Sequence, residues 1–305
     1  MQPQRVTYKE GQMKRFVVAV LAGMVLAGSL LTSTSSAQLP SLPTITKDLI
    51  LEIAGVPAPS AGTGLQIHAD FPTESPLILG GISIYSLTAD ITPDGNVLTR
   101  TILTRDDFAT AGDGGTEVHE CDDPAFLPTG VTWAPDSMPI LWEFDRRSIP
   151  DEIERVKTLR TVRGAHRVWP QARSVCSDRD RYTFAYTFMG FTRRNPNYDK
   201  RNIVDFGTLG HGALAVNSTW YTSKNEIVEV DLRLNKADFT WTNVPGVRRY
   251  QVRNVVAHEL GHQLGLDDLG SPHGGLTMFG QIGKGELNKV TLGSGDLRGA
   301  NATAP

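Results

Sequence analysis

The chain lacks what several classes of protein require. Of 305 residues only two are cysteine, too few for a disulfide-built scaffold, though enough for one bridge. Lys and Arg number 30 against 33 Asp and Glu, so no excess of positive charge exists to hold nucleic acid. With 40% hydrophobic and 21% charged residues, the composition is not that of a disordered chain. Internal repeats at solenoid periods are absent. Long apolar runs are absent too, except one: Phe16 to Leu31, FVVAVLAGMVLAGSLL, which carries no charge.

That run follows Lys9, Lys14 and Arg15 and precedes the small residues Ser35-Ser36-Ala37. A basic stretch, a short apolar stretch and a small-x-small site read as a secretory signal over residues 1–37. A spanning helix would need about 20 apolar residues. Met13 could serve as the start, and no cysteine follows the run to take a lipid anchor. Removing a leader with Arg5, Lys9, Lys14 and Arg15 against Glu10 leaves a more acidic chain. No other segment approaches spanning length, so the mature form is expected to be exported, secreted or periplasmic, and not membrane-spanning.

Residues 38–120 carry no motif, and are read as a propeptide, a small β-rich module or a spacer. Within them ILGGISIYSLTADI and NVLTRTIL read as strands, PDGN as a hairpin turn and ATAGDGGT as a linker. Residues 121–305 amount to one domain. PILWEF reads as a strand. Ser148 can then cap a helix with Pro150 in its first turn, along which Ile153, Val156, Leu159, Val162 and Ala165 recur until Trp169-Pro170. Strand-like runs follow at 182–188, 203–206, 213–220 and 226–234. A second helix is expected from about Tyr250 to Leu264, ended by Gly265, with a weak one near 295–300. Strand, helix, four strands, helix makes an α/β (α+β) domain.

The second helix contains His258-Glu259-Leu260-Gly261-His262. Positions i and i+4 lie one turn apart on the same face, so both imidazoles can reach one ion. Glu259 is displaced around the helix, placed to touch a water on that ion rather than the ion itself. This is the HExxH zinc pattern with Glu as general base. Gly265 lets the chain leave the helix sharply, and Asp268 can swing back as a third ligand; Asp267 and His273 are the alternatives. Leu276-Thr277-Met278 then supplies a methionine in a short turn, and HExxHxxGxxD with a downstream Met is far more specific than HExxH alone.

On these residues the chain resembles the metzincin metallopeptidases, in their matrixin-like branch, from about Cys121 to Arg298. EIVEVDLRLNKADFTW looks like the family's last strand and its following loop. IVDFGTLGHGALAVNSTWY looks like the approach to its substrate-binding edge strand, and KVTLGSGDLRGA like its C-terminal helix region. The resemblance implies a mixed, mostly parallel five-stranded sheet, two long helices and a loop-rich C-terminal subdomain. It implies one catalytic zinc on His258, His262 and Asp268, Glu259 as base and Met278 as the floor. The ion would polarise the scissile carbonyl and acidify a water, while Glu259 carries the proton to the leaving amine. Leu214, Ala215, Val216 and Asn217 would pair with the backbone of a protein or peptide substrate. Asp268 stands where the family commonly has a third histidine, a variant found among its bacterial secreted members. Gly280 stands where some members have a zinc-touching tyrosine. No cluster for a second zinc is evident; His211 is alone in its region, and no motif supports structural calcium.

In an exported protein Cys121 and Cys176 pair by default, the rival being a cysteine switch on the zinc, although HECDDPAF lacks the family's switch motif. His68, His119 and His166 read as surface or helix-face residues, the five tryptophans as core, and Asn217 and Asn301 as glycosylation sequons. The expectation is a monomeric, secreted zinc metalloendopeptidase. The alternatives are a zinc amidohydrolase acting on something other than peptides, or a non-catalytic binding protein on the same scaffold.

Overall fold

The structure, a computed structural model, describes residues 118–174, 176, 184–209, 213–222 and 224–305. Before these it describes the backbone of seven strands: Arg5–Tyr8, Phe16–Ala19, Leu65–His68, Leu77–Leu79, Ile82–Ile84, Thr88–Ile91 and Val97–Asp106. Phe16–Ala19 pairs antiparallel with Arg5–Tyr8. The rest of the apolar run, Ser35-Ser36-Ala37, the PDGN turn, the ATAGDGGT linker and His211 lie outside the described residues. Among the described residues no helix is long and apolar enough to cross a membrane.

The core is one mixed, mostly parallel sheet with helices packed on it. Its strands are β1 (Val97–Asp106), β2 (Thr132–Trp133), β3 (Ile140–Phe144), β4 (Tyr186–Phe191), β5 (Asn202–Gly207), β6 (Ala213–Thr222), β7 (Glu226–Asn235) and β10 (Gln281–Ile282). The order is β4-β3-β5-β7-β6-β1-β10, with β2 beside β7. Strands β4, β3, β5 and β7 run parallel, β6 is antiparallel to β7 and β1 antiparallel to β6. The sheet therefore has eight strands rather than five, because β1, β2 and β10 extend a five-stranded centre. The patterning follows position: β3 alternates, burying Ile140, Trp142 and Phe144, whereas central β7 is buried on both faces from Val230 to Leu232. Strand β4 starts at Tyr186, four residues later than the sequence run.

Among the described residues three α-helices of ordinary length accompany the sheet, not two long ones: α1 (Arg155–Ala165), α2 (Val252–Gln263) and α3 (Ser294–Thr303). Ser148 does not cap α1. Its hydroxyl donates to the Asp145 carbonyl and accepts from the Phe206 amide, and Glu154 stands at the helix start instead. Val156 is 65% exposed, so the buried stripe of α1 begins later, with Val162 and Ala165. Helix α2 begins at Val252 because Tyr250–Gln251 (β9) pairs with Trp241–Thr242 (β8), and the Gln251 side chain caps the Asn254 amide. Two indoles tie α2 down: Trp169 Nε1 donates to the Ala257 carbonyl and Trp133 Nε1 to the Gln263 carbonyl, both at 2.8 Å. A Cys121–Cys176 disulfide fastens the start of the domain to the loop after α1.

Candidate metal centre

Every residue of α2 except Arg253 is buried, so a polar side chain on this helix must find a partner inside the protein. His258 and His262, one turn apart, point their rings at each other with centroids 4.8 Å apart. The chain leaves α2 through Gly265 at φ +90°, a conformation that suits glycine alone at so tight a bend, and Leu266 N bonds back to the Gly261 carbonyl. Asp267 N then takes the Leu127 carbonyl, which turns Asp268 back toward the two rings.

The result is a triangle of ligand atoms. His258 Nε2 lies 3.2 Å from His262 Nε2, and Asp268 Oδ1 lies 3.2 Å from the first and 3.5 Å from the second. All three residues are buried. His258 Nδ1 meets the Thr277 carbonyl at 2.7 Å and His262 Nδ1 meets the Leu266 carbonyl at 2.8 Å. A carbonyl only accepts, so each Nδ1 must carry the proton, and each neutral ring presents a lone pair at Nε2. Two lone pairs and a carboxylate oxygen thus converge in a dry interior, an arrangement that repels itself unless a cation or a proton sits among them. Tetrahedral zinc, with bonds of about 2.0–2.1 Å, sets its ligand atoms about 3.3–3.4 Å apart, which is the spacing of this triangle. The residues therefore fit the ion.

The protonation balance tells the same story. Burial opposes charge on His258, but the Asp268 carboxylate and, more weakly, Glu259 outweigh it and raise its pKa. Burial likewise opposes the Asp268 carboxylate, yet the two imidazoles hold its pKa below the ordinary value. Glu259, next along the helix and fully buried, adds negative charge beside the triangle.

Beneath it Met278 is buried against α2, where Gly261 leaves the space; a side chain there would run into Met278 and Trp169. Sequence reasoning missed what holds this turn. Asp296 of α3 accepts from the Thr277 and Met278 amides at 2.8 and 3.1 Å, and from Gly293. The fully buried Lys289 ammonium donates to the Leu276 and Phe279 carbonyls at 3.1 and 2.9 Å. Burial lowers the Lys289 pKa against the pull of Glu286 and Asp296, and raises that of Asp296. Together they fix the turn whose Thr277 carbonyl orients His258. A lysine and an aspartate ten or more residues beyond a methionine carry no local signal of this task.

The other candidates are placed elsewhere. His273 pairs with Asp123 at 2.9 Å, and Asp267 is not part of the triangle. His119, Glu120 and Cys121 form another convergent group among the described residues, but it is not a buried one and the Cys121 sulfur is committed to Cys176. That bond also removes the thiolate a cysteine switch needs. His166 is not a surface residue: it is buried, stacked on Trp142 at 3.7 Å, with Nδ1 on the Val162 carbonyl. Asn217 is buried with its amide donating to Thr219, which leaves no room for a glycan, whereas Asn301 is exposed on α3. Leu214 to Asn217 lie in β6 as expected, but not at an open edge: Ala215, Val216 and Asn217 pair with β7 on one side and β1 on the other, and Leu214 sits at a break in the register with β1. Scanning the chain against protein-family models gives no match, and searching curated proteins gives none.

Proposed function

We propose that this chain is a secreted zinc metalloendopeptidase of the matrixin-like metzincin type, with His258, His262 and Asp268 holding one zinc. The observation that carries the reading is the buried triangle of two imidazole lone pairs and one carboxylate, spaced as tetrahedral zinc requires. When bound, the ion would supply Lewis-acid polarisation of a carbonyl and a water acidic enough to react near neutral pH.

The remaining work falls to the protein. Glu259 shares the helical turn with both ligands, so its carboxylate can accept a proton from the attacking water and return it to the leaving nitrogen. Thr277 and Leu266 carbonyls keep each imidazole in the tautomer that leaves Nε2 free to ligate. An extended peptide could pair with the Leu214 to Asn217 stretch only where β1 leaves its side of β6, and main-chain pairing of that kind would favour polypeptide substrates with little side-chain selection. The Cys121–Cys176 bridge suits an oxidising compartment, in keeping with export by the apolar run at residues 16–31.

The test is cleavage of casein by the purified protein with and without a chelator, beside Glu259→Gln. The reading requires activity lost to the chelator and restored by zinc, and a variant that keeps zinc while turnover falls about 10²–10⁴-fold. Stoichiometric zinc with no cleavage of any unfolded protein would refute it.

A further inference from the structure

Away from the metal centre, the carboxyl ends of the parallel strands β3, β5 and β7 border an open recess of about 520 Å³. That volume falls within the range of small-molecule sites, about 300–1,000 Å³, and the carboxyl ends of parallel strands are where open sheets take ligands. None of its lining residues belongs to the metal centre. The three strand ends are fastened to one another. Asp145 N donates to the Val204 carbonyl and Lys236 N to the Gly207 carbonyl, while the Ser148 hydroxyl bridges the Asp145 carbonyl and the Phe206 amide. Two ion pairs stand on this rim. Arg147 grips Asp145 through Nε and Nη2 at 3.0 and 2.9 Å, and Arg233 grips Asp205 through the same two atoms at 2.9 and 2.6 Å. Arg233 can lie close against β5 because Gly207 has no side chain; a Cβ there would run into the guanidinium. Among the described residues Lys236 Nζ bonds to the Ser148 carbonyl alone, at 3.2 Å.

Positive charge and donors are left over on this rim. Each carboxylate faces a guanidinium fork, yet each arginine keeps Nη1 without a protein acceptor among the described residues, and the Lys236 ammonium keeps two N–H groups. Arg147, Arg233 and Lys236 against Asp145 and Asp205 leave the recess net positive. We propose that it binds a phosphate or sulfate group carried as an ester on a larger polar molecule. The spare donors come from three places, the turn after β3, the strand β7 and the residue following it. A phosphate or sulfate monoester offers three terminal oxygens to three such donors, whereas a carboxylate offers two. Arginine forks and a lysine ammonium are the side chains suited to groups of this kind. The recess is larger than a bare ion requires, and Asn195 and Thr208 add an amide and a hydroxyl to its wall for the body of the ester. The site uses no metal, and it stands whether or not the chain is a peptidase.

The experiment titrates the full mature chain at low ionic strength with inorganic phosphate, inorganic sulfate, glucose 6-phosphate and acetate, read by backbone amide shifts. Saturating shifts are expected at residues 145–148, 205–208 and 233–236, whether or not zinc is loaded. Acetate should bind about tenfold more weakly than phosphate or sulfate, for want of one charge-assisted hydrogen bond, and glucose 6-phosphate no more weakly than phosphate. Lys236→Gln removes an exposed charge while keeping a donor for the Ser148 carbonyl, and should weaken both ions about tenfold. Arg147→Lys, also at an exposed position, keeps the charge but loses the fork, and should cost less than that. Thermal unfolding checks that each variant is folded. Shifts confined to other surfaces, equal affinity of both folded variants and the wild type, acetate bound as tightly as phosphate, or a bare ion preferred to its ester would overturn the proposal.

Discussion

His166, at the C-terminal cap of α1, and His258, within α2, are both buried and both bonded through Nδ1 to a backbone carbonyl. They differ in what faces Nε2. At His166 that atom has no hydrogen-bond partner, the ring is stacked on Trp142 with Tyr186 at its edge, and burial drives the pKa down to about 3. At His258 the same atom faces His262 and Asp268, and the pKa rises despite burial. One ring is a flat core residue kept neutral; the other belongs to a set that attracts a cation. Burial alone thus does not make a histidine a candidate ligand; convergence with other ligand atoms does.

The comparison is broken or sharpened most strongly by zinc itself. Free ion at a thousand times its Kd should stabilise the wild type by about 4 kcal/mol in thermal unfolding, and His262→Ala by almost nothing. His166→Ala should respond to zinc as the wild type does. A smaller effect is expected one step out from the ligands. Lys289→Met removes the ammonium that holds the Leu276 and Phe279 carbonyls. It should weaken zinc binding about 10–100-fold in competition with a chromophoric chelator, without changing the ligand set.

The smallest effect is a pH slope. His166 is neutral in the fold with a pKa near 3, against about 6.5 unfolded, so its stabilising share is complete above pH 6.5. That share is lost as pH falls toward 3, at no more than about 1.4 kcal/mol per pH unit. His166→Phe keeps a ring against Trp142 and should flatten the fall in denaturant-measured stability between pH 6.5 and 4. An unchanged slope would mean that the acid sensitivity arises elsewhere.

The convergence of His258, His262 and Asp268 was legible because it is local: one helical turn, a glycine exit and an aspartate three residues on are set by chain geometry alone. The strands β3, β5, β6 and β7 were legible for a similar reason, since their apolar runs are bounded by turn residues. What escaped depends on contacts between distant segments. His166 follows directly on the buried stripe of Val162 and Ala165, and only the register of β3 brings Trp142 over it. Lys289 and Asp296 acquire their role from a turn that the fold carries to them. Ser148 had the chemistry of a helix cap, but the Phe206 amide of β5 competes for its hydroxyl. The pairing of Val97–Asp106 with β6 joins segments more than a hundred residues apart, and no local pattern specifies a partner strand.

Zinc K-edge absorption of the purified chain loaded with one equivalent tests the central claim most directly. Two imidazole nitrogens and carboxylate oxygen at about 2.0–2.1 Å, in a four-coordinate shell without sulfur, are the expected ligands. A shell containing sulfur, a single imidazole, or zinc that leaves on simple dialysis would contradict the assignment of His258, His262 and Asp268 as the site.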